Sequence, residues 1–508
     1  MHLARPWTSA LQLCSLISLA LASDSLAFSP PISFENTAIV RSVDLGGATT
    51  QVTTTYQVRA LKDGSQQYFF TLSAGDAART SWMEAKLKGG SSLLKLESTH
   101  AADNVFLYGV TLPKPLKVNE TATLALHTLQ SHASTPLPAT IRQSEPLYLK
   151  YESDLYILSS YNTVIQRLKL RTPTQKVKEY SSPSSSKYAS GDSMPYTKSA
   201  TTVTYGPFRG VPSWTDATFQ NDAKEQVTVH YELDSPYTTI KTLKRAAEIS
   251  HWGSNLNIQD NIWLKNEGAR LKGHFSRLEH IKQKVHTGTS QPHVLTDLVL
   301  HLPSGVRDPY IYDVIGNVST SKFRPALPRR QTASSLSRLS PLERPSLLEM
   351  KPRYPLMGGW NYTFTMGYDL PLQEWAGYDQ EKGAYVVAVP FLTPLPGATF
   401  DDVETKIILP EGAKLLEHRL PFPVDSEQED KVLTYLDSVG RPSISFRKFN
   451  CTNEHAGMIY IVYSVDAKAH MQKPFTVAAA AFGVFMLAMS LRRLDFTIHS
   501  HSHSKKLV

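Results

Sequence analysis

Cysteine is almost missing from this sequence: 508 residues hold two, Cys14 and Cys451. Cys14 falls within residues 1–22, read below as a removable leader, so the mature chain keeps one thiol and cannot close an internal disulfide. Its cores must hold by packing alone, and Cys451 is expected as a buried, unreactive thiol. Charge of one sign is also scarce. The formal net charge of +8 is small for this length and gathers partly in the tail and one loop, which argues against nucleic acid as a partner. The signatures of chemistry are absent too. There is no G-x-G-x-x-G, Walker loop, H-E-x-x-H or G-x-S-x-G, and no nucleophile stands beside an evident base. No catalytic residue, cofactor or metal ligand is expected.

Three weaker patterns have ordinary explanations. Asp401-Asp402-Val403-Glu404 suits an acidic turn between strands better than a cation site. His251-Trp252-Gly253 reads as a packed His–Trp pair at a strand end rather than as a ligand or switch. His499, His501 and His503 alternate with serines and suit a solvated tail as well as a weak metal site.

Long apolar runs are rare, which makes one of them stand out. Phe475 to Leu491 is seventeen residues without a charge, preceded by Lys473-Pro474 and closed by Arg492-Arg493. As a helix it is roughly 25 Å long, close to the hydrocarbon thickness of a thin bilayer. Apolar on every face and stopped by arginines, it is expected to span a membrane with residues 492–508 in the cytosol. The start of the chain agrees. Arg5 precedes the apolar run Leu11 to Leu21, and Ala20-Leu21-Ala22 offers a small-x-small site, so residues 1–22 are expected as a signal peptide. The result is a type I protein whose bulk is lumenal. Lys505 and Lys506, four and three residues from the end, resemble a dilysine signal for retrieval to the endoplasmic reticulum. Four glycan acceptors are then available in the lumenal part: Asn119, Asn317, Asn361 and Asn450.

The body between these ends reads as strands. Val52, Thr54, Tyr56 and Val58 alternate, as do Val227, Val229, Tyr231 and Leu233, each suiting a half-buried strand. Tyr68 to Leu72, Val105 to Leu112 ending at Pro113, Asn257 to Leu264, Leu295 to Leu302, Tyr385 to Phe391 and Ile459 to Val465 add further strands. Ile240 to Ile249 suits a strand, although Lys244 to Glu248 has helical composition. Residues 171–200 and 325–352 are Ser-, Pro- and Lys- or Arg-rich and are expected as exposed loops. No Rossmann unit or repeat array is suggested. The expected fold is mainly β: two lumenal sandwich-like domains with minor helix, residues 23–236 and 237–467, followed by the transmembrane helix 475–491.

A series of segments then carries a specific resemblance. Tyr205-Gly-Pro-Phe-Arg209, Glu248-Ile-Ser-His-Trp-Gly253, Leu271-Lys-Gly-His-Phe-Ser-Arg277 and Asp313-Val-Ile-Gly-Asn-Val-Ser-Thr-Ser321 lead it. Arg353-Tyr-Pro-Leu-Met-Gly-Gly-Trp360, Gly367-Tyr-Asp-Leu-Pro371, Ile407 to Lys414 and Thr434 to Pro442 continue in order. Together they resemble the ribophorin I family, the alpha subunit of the eukaryotic oligosaccharyltransferase complex. Residues before Tyr205 match more loosely, mainly through strand order and Gln143-Ser-Glu145, and the loops near 171–200 and 327–349 depart from the family pattern. The resemblance implies a subunit of the machine that moves a preassembled glycan from dolichyl pyrophosphate to Asn of Asn-x-Ser/Thr in nascent lumenal chains. It also implies a separate multi-spanning catalytic subunit as partner, with nascent polypeptides and the translocon nearby. The residues agree with an accessory role, because one short acid-free helix cannot enclose a lipid-linked donor and its divalent cation. A second reading, permitted by the β-rich architecture alone, is an independent lumenal enzyme or lectin-like binder held in the endoplasmic reticulum.

Overall fold

The structure is a computed structural model that describes residues 30–89, 93–102, 105–183, 187–189, 196–216, 218–222, 224–287, 291–326, 345–433, 437 and 439–494. It is mainly β. Alternation in the sequence becomes alternation of burial: in the strand Thr49–Ala60, Val52, Thr54, Tyr56 and Val58 are all buried while their neighbours face out. Each large apolar side chain so enclosed contributes about 1.5–3 kcal/mol, and no disulfide supplements them.

An eight-stranded sheet organises the first half of the chain. At its centre Phe34–Asp44 runs parallel to Thr163–Arg171 and antiparallel to Thr49–Ala60. Beyond Thr49–Ala60 come Thr121–Ser131 and Thr80–Leu87, and beyond Thr163–Arg171 comes Thr202–Val211. Two smaller sheets share its inner face. One contains Leu147–Asp154 and Gln226–Leu233, packing Leu149, Tyr151 and Val229 against Val43, Leu168 and Tyr205. The other contains Ser65–Ser73, Val105–Leu116 and Leu96–Ala102, packing Tyr68, Phe70 and Val110 against Ile39, Tyr56 and Leu126.

The second half repeats this arrangement in a seven-stranded sheet that lacks a counterpart only of the short edge strand Leu93–Leu94. Thr238–Ser250 runs parallel to Thr399–Ile408 and antiparallel to Asn255–Asn266. Asn361–Pro371 and Arg307–Asp313 follow on one side, and Arg441–Cys451 on the other. Ala384–Pro390 pairs with Met458–Val465, and Ser346–Met350 sits between Leu298–Leu302 and Ser321–Arg324. Even the irregularities correspond. The register slips at Thr37 in the first central strand and at Lys241 in the second, and a buried arginine follows four residues later in each, Arg41 and Arg245. The sequence shows no repeat because sheet topology constrains the pattern of burial, not the identity of each side chain.

The strand expected over Ile240 to Ile249 is present as Thr238–Ser250; Lys244 to Glu248 lies within it despite its helical composition, with Arg245 and Ala247 pointing inward, because pairing on both edges overrides a local preference. Other segments differ from their sequence expectation. Residues 171–200 are not simply a loop, since Val177–Tyr180 and Tyr196–Ser199 add edge strands to two sheets. The segment 325–352 likewise includes the strand Ser346–Met350, whose Leu348 and Met350 enter the core. The strand beginning at Val105 continues through Pro113 to Leu116, with an irregular register toward its end. Arg277–Thr287 forms a helix that alternation does not announce.

The chain ends its described course in one helix, Ala467–Arg493, which contains the apolar run and starts eight residues before it. It is long and apolar enough to cross a membrane. Pro474 lies inside it and supplies no N–H to the helical ladder.

Candidate functional site

Among the described residues, chemistry-bearing side chains gather at a seam between the halves, at a clamp around Asp313, and at a collar where the long helix leaves the body. The seam is built around Asn450, which adopts a left-handed backbone, φ 54°. Its side-chain oxygen accepts a short hydrogen bond from the Ser131 hydroxyl, and its carbonyl accepts one from Ser81 at 2.6 Å. Thr452, the hydroxyl residue of that sequon, is buried, and its amide donates to His455 Nδ1 at 3.1 Å. Trp82 of the first half lies edge-on to His455 at 4.9 Å and to Phe422 at 6.3 Å. Burial lowers the His455 pKa to about 4 and pushes the Cys451 thiol up to about 12, so Cys451 is an inert core group.

A charged cluster completes the seam. His132 Nε2 donates to Asp401 at 2.6 Å, and Lys241 reaches Asp401 at 2.7 Å and Glu267 at 2.5 Å. Burial opposes ionisation of Asp401, yet His132 and Lys241 together hold its carboxyl below the usual range. Asp402 accepts both forks of Arg447, each at 2.8 Å. The acidic segment 401–404 is therefore part of a strand, not a turn, with its first two carboxylates committed to cations. Among the described residues no three His, Cys, Asp or Glu side chains gather as a metal site.

The other three sequons face solvent. Asn119 occupies an exposed turn with φ 66°, and Asn317 and Asn361 are exposed on the second half. These last two lie beside one clamp. Asp313 accepts Arg353 Nε at 2.5 Å, Arg353 Nη2 at 3.0 Å and the Tyr362 hydroxyl at 3.0 Å. The Arg353 bond holds the Asp313 carboxyl well below the usual carboxylate range. Arg353 also donates to the Asn317 carbonyl at 3.2 Å, and Tyr354 donates to the Asn361 carbonyl at 2.8 Å. Gly358 of the same segment admits no side chain, because a Cβ there would stand 1.9 Å from the Ala269 carbonyl oxygen.

His251 and Trp252 occupy the turn between Thr238–Ser250 and Asn255–Asn266, and they part company there. His251 packs, with its Nε2 2.8 Å from the Tyr463 hydroxyl and its ring 4.5 Å from Tyr385. Burial, reinforced by His470, lowers its pKa. Trp252 is 64% exposed and sits 6.4 Å from His470 of the long helix. From the other side Gly412, at φ 75°, comes so close to the helix that a Cβ on it would lie 2.5 Å from the Ala469 methyl. No periodicity foretells this collar, because Trp252 and Gly412 are distant in sequence from the helix that they meet. Residues 1–22, Lys505, Lys506 and the histidines His499, His501 and His503 lie outside the described residues.

Comparison with known proteins places these features in context. A family model described as Ribophorin I matches residues 34–492. The chain is 30% identical over 466 residues to dolichyl-diphosphooligosaccharide–protein glycosyltransferase subunit 1 of Caenorhabditis elegans, covering 91% of this chain and 72% of that one. It is 31% identical over 402 residues to subunit 1B of Arabidopsis thaliana, covering 79% and 78%. Among solved structures, leukotriene A4 hydrolase of Saccharomyces cerevisiae aligns with a TM-score of 0.26 at 11% identity, over 45% of this chain and 34% of that one.

Proposed function

The chain belongs to the ribophorin I family, and from that premise we propose that it is a noncatalytic subunit of the oligosaccharyltransferase complex. Its relatives carry the name of subunit 1 of that glycosyltransferase. The observation that carries the accessory role is the collar. A large β body grips the first turns of one apolar helix through Gly412, His251 and Trp252. That arrangement suits holding a broad surface at a set height above the membrane, and the one apolar helix among the described residues does not by itself enclose a dolichol-linked donor. In this reading the body is lumenal, Arg492 and Arg493 meet the cytosolic headgroups, and Lys505-Lys506 return the protein to the endoplasmic reticulum. Partners are a multi-spanning catalytic subunit, with nascent chains and the translocon nearby.

Purification in mild detergent tests it. The chain should co-migrate with a multi-spanning partner, its depletion should lower glycan occupancy on many proteins, and the isolated chain should transfer no glycan. Full transfer by the isolated chain, or migration as an active monomer, would favour an independent enzyme instead. Cytosolic protease should remove the last lysines in sealed microsomes; their protection would invert the topology.

A further inference from the structure

The hairpin that follows the edge strand Arg307–Asp313 sets a glycan acceptor beside a pair of aromatic rings. Tyr310 and Tyr312 point away from the core, on either side of the buried Ile311, and their rings are parallel within 10° with centroids 6.1 Å apart. Gly367 of the neighbouring strand makes room for Tyr310, since a Cβ there would stand 2.3 Å from its Cζ. The Tyr310 hydroxyl reaches Gln259 Oε1, one strand further on, at 3.3 Å. Tyr312 is bridged to Asn317. The Val318 amide donates to the Ile311 carbonyl at 2.9 Å and the Asp313 amide to the Gly316 carbonyl at 3.0 Å. Tyr312 and Asn317 are therefore a narrow, non-hydrogen-bonded antiparallel pair, with side chains on one face and Cβ atoms roughly 4.5–5.5 Å apart.

The clamp fixes the backbone from which Asn317 projects. Asp313 Oδ1 accepts the Ile315 amide at 2.9 Å and the Gly316 amide at 3.0 Å, and Arg353 holds the Asn317 carbonyl at 3.2 Å. Asn317 and Ser319 of the same sequon are exposed, and among the described residues the Asn317 side-chain amide has no hydrogen-bond partner. We propose that Tyr312, supported by Tyr310, is the seat of the first N-acetylglucosamine of a glycan on Asn317, so that this glycan rests on the outer face of the sheet. The ring substituents of that sugar are all equatorial, which leaves its axial C–H bonds facing outward on either side. An aromatic face is the negative side of a quadrupole and attracts them. Tethering selects the occupant: a branched glycan anchored one cross-strand pair from Tyr312 excludes a folded partner from the ring. Asn361 shares the face but lies four residues from Thr365, the other neighbour of Tyr312, or about 13 Å along the strand.

This inference rests on the body being lumenal, where a lipid-linked donor is at hand. There sugar C1 exchanges its bond to pyrophosphate for one to Asn317 Nδ2, the amide gives up a proton, and dolichyl pyrophosphate leaves. The full chain would be purified in its complex and treated, folded, with endoglycosidase H, with release at each site followed by glycopeptide mass spectrometry. Tyr312→Leu should speed release at Asn317 severalfold and leave release at Asn361 unchanged. Tyr312→Phe, which keeps the aromatic face, should retain the slow rate, and after denaturation all three chains should release alike. Amide exchange from Ile311 to Val318 should be severalfold slower than in Asn317→Gln, a difference that Tyr312→Leu should erase. Equal release from the folded Leu, Phe and unsubstituted chains, exchange indifferent to the glycan, or crosslinks from position 312 to another polypeptide would each overturn the seat. A bare Asn317 beside occupied Asn119 and Asn361 would overturn it alone; all three bare would overturn the lumenal reading as well.

Discussion

Arg41 and Arg245 hold the same place in two copies of one strand arrangement, each four residues past a register slip and each buried against an aspartate. Asp76 meets Arg41 at 2.9 Å, and Asp260 meets Arg245 in a bidentate pair at 2.7 and 2.6 Å. Arg245 also donates to the Pro390 carbonyl at 2.7 Å, so the second pair ties strands of both layers.

Asymmetric removal of that second pair should be severe. Asp260→Ala leaves a fully buried guanidinium uncompensated and should cost about 3–5 kcal/mol, read as a drop in the urea midpoint of the full chain in detergent. The double variant Arg245→Met with Asp260→Leu should recover most of that loss, because both charges leave together. A double variant as unstable as the single one would mean that the pair supplies net stability of its own.

Acid should loosen the fold through the seam. His455 is held neutral, with its pKa lowered from about 6.5 to about 4 in the folded protein. The unfolded chain therefore takes up a proton first as pH falls. Its contribution is complete above about pH 6.5 and declines by about 1.4 kcal/mol per pH unit toward pH 4. His293, buried and lowered to about 4, acts in the same direction. His455→Gln should reduce the slope of the thermal midpoint against pH by roughly one proton, and Trp82 emission should report the change directly.

Gly412→Val should release the helix from its collar while sparing the sheets. The new side chain meets the Ala469 methyl, and a β-branched residue resists the positive φ. A local cost of about 1–3 kcal/mol should show as faster trypsin cleavage at Lys468, with little change in the unfolding midpoint. An unaltered cleavage rate would contradict the tight approach.

Glycans should divide along exposure. Asn119→Gln, Asn317→Gln and Asn361→Gln should each lower the mass removable by endoglycosidase, whereas Asn450→Gln should not. The Asn450 amide is engaged with Ser131 and its threonine is enclosed. A glycopeptide carrying Asn450 would refute that division.

Much of the strand pattern was legible because burial leaves a two-residue rhythm; Val52 to Val58 and Val227 to Leu233 both show it. Lys244 to Glu248 keeps a helical composition inside the expected strand because pairing on both edges, with Asn255–Asn266 and with the distant Thr399–Ile408, outweighs a local preference. Asp401 and Asp402 read as a turn for a related reason: the groups that bind them, His132, Lys241 and Arg447, come from three other strands or turns. The repeated arrangement is not visible in the sequence because the halves share a pattern of burial rather than side chains; even Arg41 and Arg245 use aspartates of different origin, one from the short helix Ala74–Arg79 and one from an adjacent strand.

With the body lumenal, as proposed, the half-buried sequon at Asn450 sets a deadline for this protein's biosynthesis. A sugar tree attached there before Ser131 and Trp82 arrive would prop the two copies apart, so closure must outrun the modifying machinery at that one asparagine. A participant in glycosylation would thus depend, for its own shape, on a site being skipped.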